Sequence, residues 1–270
     1  MSGLAQSFSG IVPENYDKLL FPRFIHPFAE EMAVRLGKTA SRAILETAAG
    51  TGAGSLILQQ SLEPGSLYTV SDISDDMLEM ARKKLGNLAG VRFDLADACA
   101  LPYDNEAFDS VVSLFGLMYF DDKQTALREA RRVLKPGGRL LFCVWDTLEK
   151  STLSFNFYHK AARYFDGNLP QFHKLPHNCA SLDFLKSELE SADFSDIQIS
   201  VVKKQTASCS ASEAATSIIT GTPVFFEFQE KGISHGQVIR EMTEELRTIF
   251  GDDLSGLTRQ AIFVEARKYS

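Results

Sequence analysis

Two carboxylates and a glycine-rich turn, in a fixed order, are the residues of this chain best suited to hold a reactive small molecule. The turn is Glu46-Thr47-Ala48-Ala49-Gly50-Thr51-Gly52-Ala53-Gly54; it follows the apolar Ile44-Leu45 and precedes Ser55-Leu56-Ile57-Leu58. Glycines let a backbone turn sharply and approach a ligand closely. Asp72, in Thr69-Val70-Ser71-Asp72-Ile73, comes about 20 residues later, where an acidic residue ending a second strand can accept hydrogen bonds from ribose hydroxyls. Asp97, in Ala96-Asp97-Ala98, can accept a hydrogen bond from an adenine amino group while the Ala98 N–H donates to the ring; merely capping a turn is its lesser alternative. The parts that would hold a pyrophosphate are missing. In a G-x-G-x-x-G spacing the third glycine falls on Ser55 counted from Gly50, or on Ile57 counted from Gly52, and there is no G-x-x-x-x-G-K-[ST] run. The pattern addresses adenosine without pyrophosphate.

Alternating strands and helices must position these residues. Ala43 to Thr47 reads as the first strand, Ser55 to Ser61 as the first helix, and Leu67 to Ser71 as the second strand. Ser74 can cap a helix whose first turn carries Asp75 and Asp76, which suits the helix dipole. Val91 to Leu95 and Phe108 to Phe115 are the third and fourth strands. Lys123 to Leu134 is a helix, stopped by Lys135-Pro136-Gly137-Gly138, and Arg139 to Trp145 is the fifth strand. Such βαβα alternation predicts an α/β fold with a parallel sheet and helices on both faces. Ahead of it, Tyr16 to Leu36 reads as helical, broken into pieces by Pro22 and Pro27. Behind it, Ile197 to Lys204 and Ala261 to Ala266 read as strands, with about 55 residues of helical signal between them, too many for a hairpin. There, Ser210 with Glu213 and Ser234 with Gln237 have the capping-box spacing, and Gly221 with Pro223 would end the first of these helices.

The chain has 270 residues, of which 44% are hydrophobic, enough for one large α/β domain or a domain with a cap. The net charge of -7 and the absence of a Lys/Arg block disfavour a nucleic-acid partner. No apolar run approaches a membrane span of about 20 residues, and Met1-Ser2-Gly3-Leu4 shows no basic region ahead of an apolar core, so no signal peptide is expected. Cys99, Cys143, Cys179 and Cys209 form no Cys-x-x-Cys and are expected as free thiols in the cytoplasm.

With these residues in view, the chain resembles class I S-adenosylmethionine-dependent methyltransferases, of the small-molecule type related to the ubiquinone and menaquinone biosynthesis enzymes. The resemblance rests on Leu45 to Gly52, Ser71-Asp72-Ile73-Ser74-Asp75-Asp76-Met77-Leu78, Ala96-Asp97-Ala98-Cys99-Ala100-Leu101-Pro102-Tyr103, Phe108-Asp109-Ser110-Val111-Val112-Ser113 and Arg131-Arg132-Val133-Leu134-Lys135-Pro136-Gly137-Gly138, in order over residues 40–146. It implies a Rossmann-like, seven-stranded, mostly parallel sheet and S-adenosylmethionine as cofactor. It also implies roles. Gly50, Thr51 and Gly52 pass under the methionine part, and Glu46 steadies the turn or meets the cofactor's amino group through water. Asp72 holds the ribose, Ile73 and Met77 flank the adenine, and Asp97 and Ala98 read its edge. Leu114 and Phe115 lie along the methionine chain, and Tyr16 covers the cofactor from the N-terminal cap (residues 1–39). Ala48 stands where the family often has glycine, and its methyl crowds the turn. Phe115 and Trp145 each read equally as core or as pocket wall.

The implied reaction is in-line methyl transfer to a small, partly apolar acceptor. No metal site is expected, and no residue is assigned as a base. Ligands in such sheets bind outside the carboxyl ends of the strands. Strands five and six are read as parallel to the rest, so the segments after them, residues 147–180 and 207–260, are expected to form a lid, with Tyr119, Trp145 and His173 as candidate acceptor contacts. Binding of S-adenosylmethionine without transfer, as a sensor or assembly partner, is the alternative; a nicotinamide oxidoreductase is disfavoured by the glycine spacing.

Overall fold

A computed structural model describes residues 10–269; Met1-Ser2-Gly3-Leu4, and the first part of the N-terminal cap, lie outside the described residues. In chain order the helices and strands are α1 (Val12–Asn15), a π-helical stretch (Tyr16–Ile25), α2 (His26–Leu36), β1 (Ala43–Glu46), α3 (Ala53–Gln59), β2 (Leu67–Asp72), α4 (Asp75–Leu85), β3 (Val91–Leu95), β4 (Phe108–Leu114), α5 (Lys123–Val133) and β5 (Leu134–Trp145). They are followed by α6 (Thr152–Ala161), α7 (Leu182–Ser191), β6 (Ser195–Gln205), α8 (Ala211–Thr220), α9 (Val224–Glu230), α10 (His235–Phe250) and β7 (Thr258–Arg267), with short 3-10 turns between some of them. The chain folds into two compact units. Among the described residues, one comprises 28–145, 179–202 and 261–269; the other comprises 10–27, 146–178 and 203–260.

The first unit is built on a seven-stranded sheet in the order β3-β2-β1-β4-β5-β7-β6. β1 is parallel to β2 and β4, β2 to β3, and β4 to β5, whereas β7 runs antiparallel to β5, pairing Arg139 with Arg267 and Trp145 with Ala261. Ile44, Leu45, Val70, Val111, Val112, Leu141, Phe142 and Phe263 are buried, as expected of strands covered on both faces. Because β1 to β4 are parallel neighbours, their carboxyl ends share one edge, and the residues just beyond Glu46, Asp72, Leu95 and Leu114 are gathered there. Asp109, at the opposite edge, accepts the N–H groups of Arg42 and Ala43 at 2.9 and 2.8 Å and an ion pair from Lys135 at 2.8 Å, which fixes the start of β1.

Two stretches differ from the sequence expectation. Pro22 and Pro27 do not break the N-terminal segment. Pro22 lies inside the π-helical stretch, whose wider winding continues into α2 when the His26 N–H bonds to the Phe21 carbonyl, and Pro27 falls in the first turn of α2. Pro136-Gly137-Gly138 does not separate helix from strand either. Leu134 already pairs with Phe108, the register then shifts, and pairing resumes at Arg139 with Ser110. Gly137 takes φ +80° and its N–H bonds to the Lys268 carbonyl at 2.6 Å, so the three residues form a bulge tied to the end of β7.

The second unit is helical. α8 packs on α10 and on the π-helical stretch, around Phe157, Ile219, Phe228, Met242 and Leu246. Ser210 and Glu213 make the reciprocal capping box. Ser234 accepts the Gln237 N–H, but the Gln237 side chain turns to Glu241 at 2.8 Å, so that second box is only half formed. The four cysteines are free, and no helix among the described residues is long and apolar enough to cross a membrane.

Gly52 shows how tightly the first turn is packed. It takes φ +74°, and a Cβ there would lie 2.7 Å from the Ala81 Cβ of α4. Gly52→Ala is expected to lower stability by about 2–4 kcal/mol, from overpacking and left-handed strain together. Urea denaturation measures this; a loss below about 1 kcal/mol would show that α3 and α4 separate easily.

Candidate functional site

The turn after β1 is held by hydrogen bonds from three directions. The Ala49 N–H donates to the Ser71 carbonyl at 3.0 Å, and the Gly52 N–H to the Ala49 carbonyl at 3.2 Å. From α4, Lys84 Nζ donates to the Thr51 carbonyl at 2.7 Å. The Asp72 carboxylate completes the set: Oδ2 accepts the Gly50 N–H at 2.7 Å and Oδ1 the Ser74 N–H at 2.9 Å. Ser74 in turn caps α4. Burial pushes the Asp72 carboxyl up, against the lowering effect of the Ser74, Gly50 and Ile73 N–H groups. The two Asp72 oxygens have about four lone-pair sites between them, so the backbone N–H groups do not exhaust what the carboxylate can accept. Gly50 takes φ +58°, and a Cβ built there would meet nothing within 4 Å, so a cradle lies open beside the carboxylate.

Glu46 works inside the protein. Its Oε2 accepts hydrogen bonds from Ser55 Oγ at 2.5 Å and Tyr68 Oη at 2.6 Å, which joins the end of β1 to α3 and β2. Burial pushes its carboxyl up to about 7, the two hydrogen bonds oppose this, and the negative Asp72 adds to it. Ala48 takes φ +54°, and room for its methyl comes from Gly116, where a Cβ would lie 2.7 Å from the Ala48 Cβ.

Around the same edge, Ile73 is 41% exposed while Met77 is buried. Asp97 is exposed and caps its own turn, with Oδ1 accepting the Cys99 N–H at 2.8 Å. Ala98 lines a small cavity of about 20 Å³ with Thr47, Ser113, Leu117 and Phe120. Leu114 is half-buried and ends β4. Phe115 follows with φ +58°, a conformation rare for a bulky residue and common at ligand sites. Its ring stacks on Trp145 at 3.8 Å, and Phe28 meets both edge-on at 5.9 and 5.2 Å. Phe115 and Trp145 are therefore packed together, both buried, at the strand ends. Tyr119, half-buried, closes the 3-10 turn Leu117–Tyr119. Tyr16 and His173 belong to the helical unit: Tyr16 begins the π-helical stretch with its ring 6.3 Å from Phe21, and His173 Nδ1 bonds to the Pro170 carbonyl. Among the described residues no three His, Cys, Asp or Glu side chains gather as a metal set.

Several supports carried no sequence signal of their own. Ser55, Tyr68, Lys84 and Gly116 act across elements. So does Arg132, which donates to the Leu101 and Tyr103 carbonyls at 2.9 and 2.7 Å while Glu129 accepts the Leu101 N–H at 2.8 Å; together they fasten the loop after Asp97. The Glu129/Arg132 spacing of three within a helix was the one available hint.

A sheet of this order, with one antiparallel strand and a glycine turn answered by the acid that ends β2, defines the Rossmann-like methyltransferase fold. The ubiE/COQ5 methyltransferase family model matches residues 17–204, and the chain belongs to that family. It is 42% identical over 108 residues to a demethylmenaquinone methyltransferase of Clavibacter sepedonicus (40% of this chain, 43% of that protein). It is 39% identical over 120 residues to the ubiquinone/menaquinone biosynthesis C-methyltransferase UbiE of Pasteurella multocida (43% and 45%). The chain thus spans about half the length of the curated relatives it matches. In fold it is similar to the YcgJ protein of Bacillus subtilis, with a TM-score of 0.59, 19% identity and coverage of 91% of this chain and 100% of that one. It is also similar to phosphoethanolamine N-methyltransferase 2 of Haemonchus contortus, with a TM-score of 0.57, 17% identity and coverage of 90% and 53%.

Two stability measurements test this geometry. Glu46 keeps its proton in the folded state up to about pH 7 but loses it near 4.5 when unfolded. Its contribution is therefore fully present below about pH 4.5 and is lost as pH rises through 7. Glu46→Gln, neutral throughout, should gain on the wild type between pH 5 and 8, by up to about 3 kcal/mol in urea denaturation; parallel pH profiles would refute this. Ala48→Gly should raise stability by up to about 1 kcal/mol by relieving the left-handed conformation, and a loss of stability would mean that the methyl contact outweighs the strain.

Proposed function

We propose that this chain transfers a methyl group from S-adenosylmethionine to a small, partly apolar acceptor, and that the acceptor is a quinol-type aromatic ring. The observation that carries the reading is Asp72. Its two oxygens are fixed by the Gly50 and Ser74 N–H groups at 2.7 and 2.9 Å, beside a glycine whose outer face is open. A vicinal diol fits such a carboxylate, and the missing pyrophosphate spacing favours a nucleoside carrying no phosphate. Ile73 and Met77 would flank the adenine, and Asp97 Oδ2 with the Ala98 N–H would meet its edge. Gly50, Thr51 and Gly52 would run beneath the methionine part, towards Leu114 and Phe115.

When bound, the cofactor supplies a methyl group already activated on a sulfonium, so the protein's tasks are alignment and exclusion of water. The quinol ring is suggested by the curated relatives, named for demethylmenaquinone and for ubiquinone/menaquinone biosynthesis. Tyr119 and Trp145 of the sheet unit, and Tyr16 and His173 of the helical unit, which is rich in aromatic side chains, are the candidate acceptor contacts.

Calorimetry with S-adenosylhomocysteine should show that Asp72→Ala weakens binding at least tenfold, about 1.4 kcal/mol, with Asp72→Asn between it and the wild type. Unchanged affinity would remove Asp72 from the site. Radiolabelled methyl transfer to a short-chain demethylmenaquinol then tests the acceptor; tight cofactor binding with no transfer to any quinol would leave a binding protein.

A further inference from the structure

The chain leaving β3 forms a turn in which most backbone donors are taken and one is open. The Ala96 N–H donates to the Asp72 carbonyl at 2.9 Å, the Cys99 N–H to Asp97 Oδ1 at 2.8 Å, and the Ala100 N–H to the Asp97 carbonyl at 3.0 Å. The Leu101 N–H donates to Glu129 Oε2 at 2.8 Å. The Ala98 N–H, in a half-buried residue among them, has no acceptor among the described residues. Because Ala96 hangs from the Asp72 backbone, this turn and the Asp72 carboxylate share one frame, and both lie in the sheet unit.

The far side of the turn is fastened to α5 of the same unit. At the head of that helix Cys99 Sγ donates to the Asp122 carbonyl at 3.3 Å. Near its other end, Glu129 and Arg132 hold Leu101 by both its N–H and its carbonyl, the carbonyl accepting from Arg132 Nη2 at 2.9 Å. Arg132 uses all five of its N–H groups within the protein. Besides Leu101, Nε and Nη2 donate to Glu129 at 2.7 and 2.8 Å, and Nη1 donates to the Tyr103 carbonyl at 2.7 Å and to Asn105 Oδ1 at 3.0 Å. No donor is left for a ligand, so this guanidinium can act on a ligand only through the loop it holds. Arg132 keeps the Glu129 carboxyl below the usual range, although burial opposes it, so the clamp stays charged at neutral pH. The helix itself is seated by the buried Ala126, Leu127, Ala130 and Val133.

We propose that Glu129 and Arg132 are the positioning pair for purine selection: by clamping Leu101 they hold the Ala98 N–H and the Asp97 carboxylate at the spacing that accepts adenine and rejects a 6-oxo purine. This rests on the cofactor reading proposed above. The adenine edge offers an amino donor beside a ring-nitrogen acceptor. In hypoxanthine the two are exchanged for a carbonyl acceptor and a ring N–H. The Asp97 carboxylate only accepts and the Ala98 N–H only donates, so a 6-oxo ring loses both contacts together. That holds only while the two groups keep their mutual spacing. A slackened turn lets Asp97 swing away and admits water, which weakens the hold on adenine and relieves the mismatch with hypoxanthine.

Calorimetry with S-adenosylhomocysteine and with its 6-oxo analogue, S-inosylhomocysteine, tests this on the whole chain. The wild type should favour the adenine compound by at least about 100-fold. Arg132→Met should weaken S-adenosylhomocysteine about tenfold and leave S-inosylhomocysteine within about twofold, so that the preference shrinks at least about fivefold. Arg132→Lys keeps a charge beside Glu129 but cannot reach the Leu101 and Tyr103 carbonyls as well; it should shift the preference the same way and serves where Arg132→Met does not fold. Glu129→Gln, whose side-chain carbonyl still accepts the Leu101 N–H, should keep the preference within about threefold of the wild type. A folded Arg132 variant whose preference stays within about twofold of the wild type overturns the proposal, even if both affinities fall, because general loosening weakens the two ligands alike. A wild type that binds both compounds equally overturns the roles of Asp97 and Ala98 and this proposal with them. A wild type that binds neither overturns the cofactor reading itself.

Discussion

The Asp72 carboxylate is the contact on which the rest of the sheet edge depends. One oxygen holds the turn that leaves β1 and the other holds the turn that leaves β2, so a single side chain sets the spacing of two adjacent strand ends. Charge-assisted hydrogen bonds of this kind are stronger than neutral ones, and their strength grows where water is excluded. Burial raises the cost of the charge, and the backbone N–H groups offset it. The turn therefore stays shaped without a ligand's help, which limits the ordering that binding must impose.

Outward from that contact, the edge is stiffened by pairs of residues from different elements. Glu46 joins β1 to α3 and β2, Lys84 joins α4 to the Thr51 carbonyl, and Arg132 joins α5 to the loop after β3. The stacked Phe115 and Trp145 rings, with Phe28 against both, do the same for the ends of β4 and β5 by packing alone. Polar devices thus serve the β3, β2 and β1 side of the edge, and apolar ones the β4 and β5 side. The polar ones fix the backbone of the turns, and the apolar ones exclude water between the strand ends.

Much of the fold was legible in the sequence because its signals were local. β3 spans Val91 to Leu95 as expected, Ser74 caps α4, and Ser210 with Glu213 closes its box. What failed was also local chemistry, overruled from elsewhere. Pro22 is absorbed by a winding that sequence patterns do not encode, and Pro136-Gly137-Gly138 is drawn into the sheet by the backbone at Lys268. At the site, the glycine turn and Asp72 were legible because their spacing follows from the strand–turn–helix geometry. The partners of Glu46 were not, since Ser55 and Tyr68 reach it from separate elements. Nor was the accommodation of Ala48, which depends on an empty position 68 residues further along the chain.

The order of β7 in the sheet has a consequence for how the molecule is made. The strand latest in sequence lies between β5 and β6, and the segment just before it completes the helical unit through Arg259 and the hydrogen bond from Asp146 to Gln260. Neither unit can be finished on a ribosome until those residues have emerged. Most of the sheet must wait with its β5 edge unpaired, the condition in which nascent chains aggregate. Pairing so distant in sequence is also slow. Any change that weakens β7 should therefore appear first as poor yield of soluble protein, before it registers in the properties of the molecules that do fold.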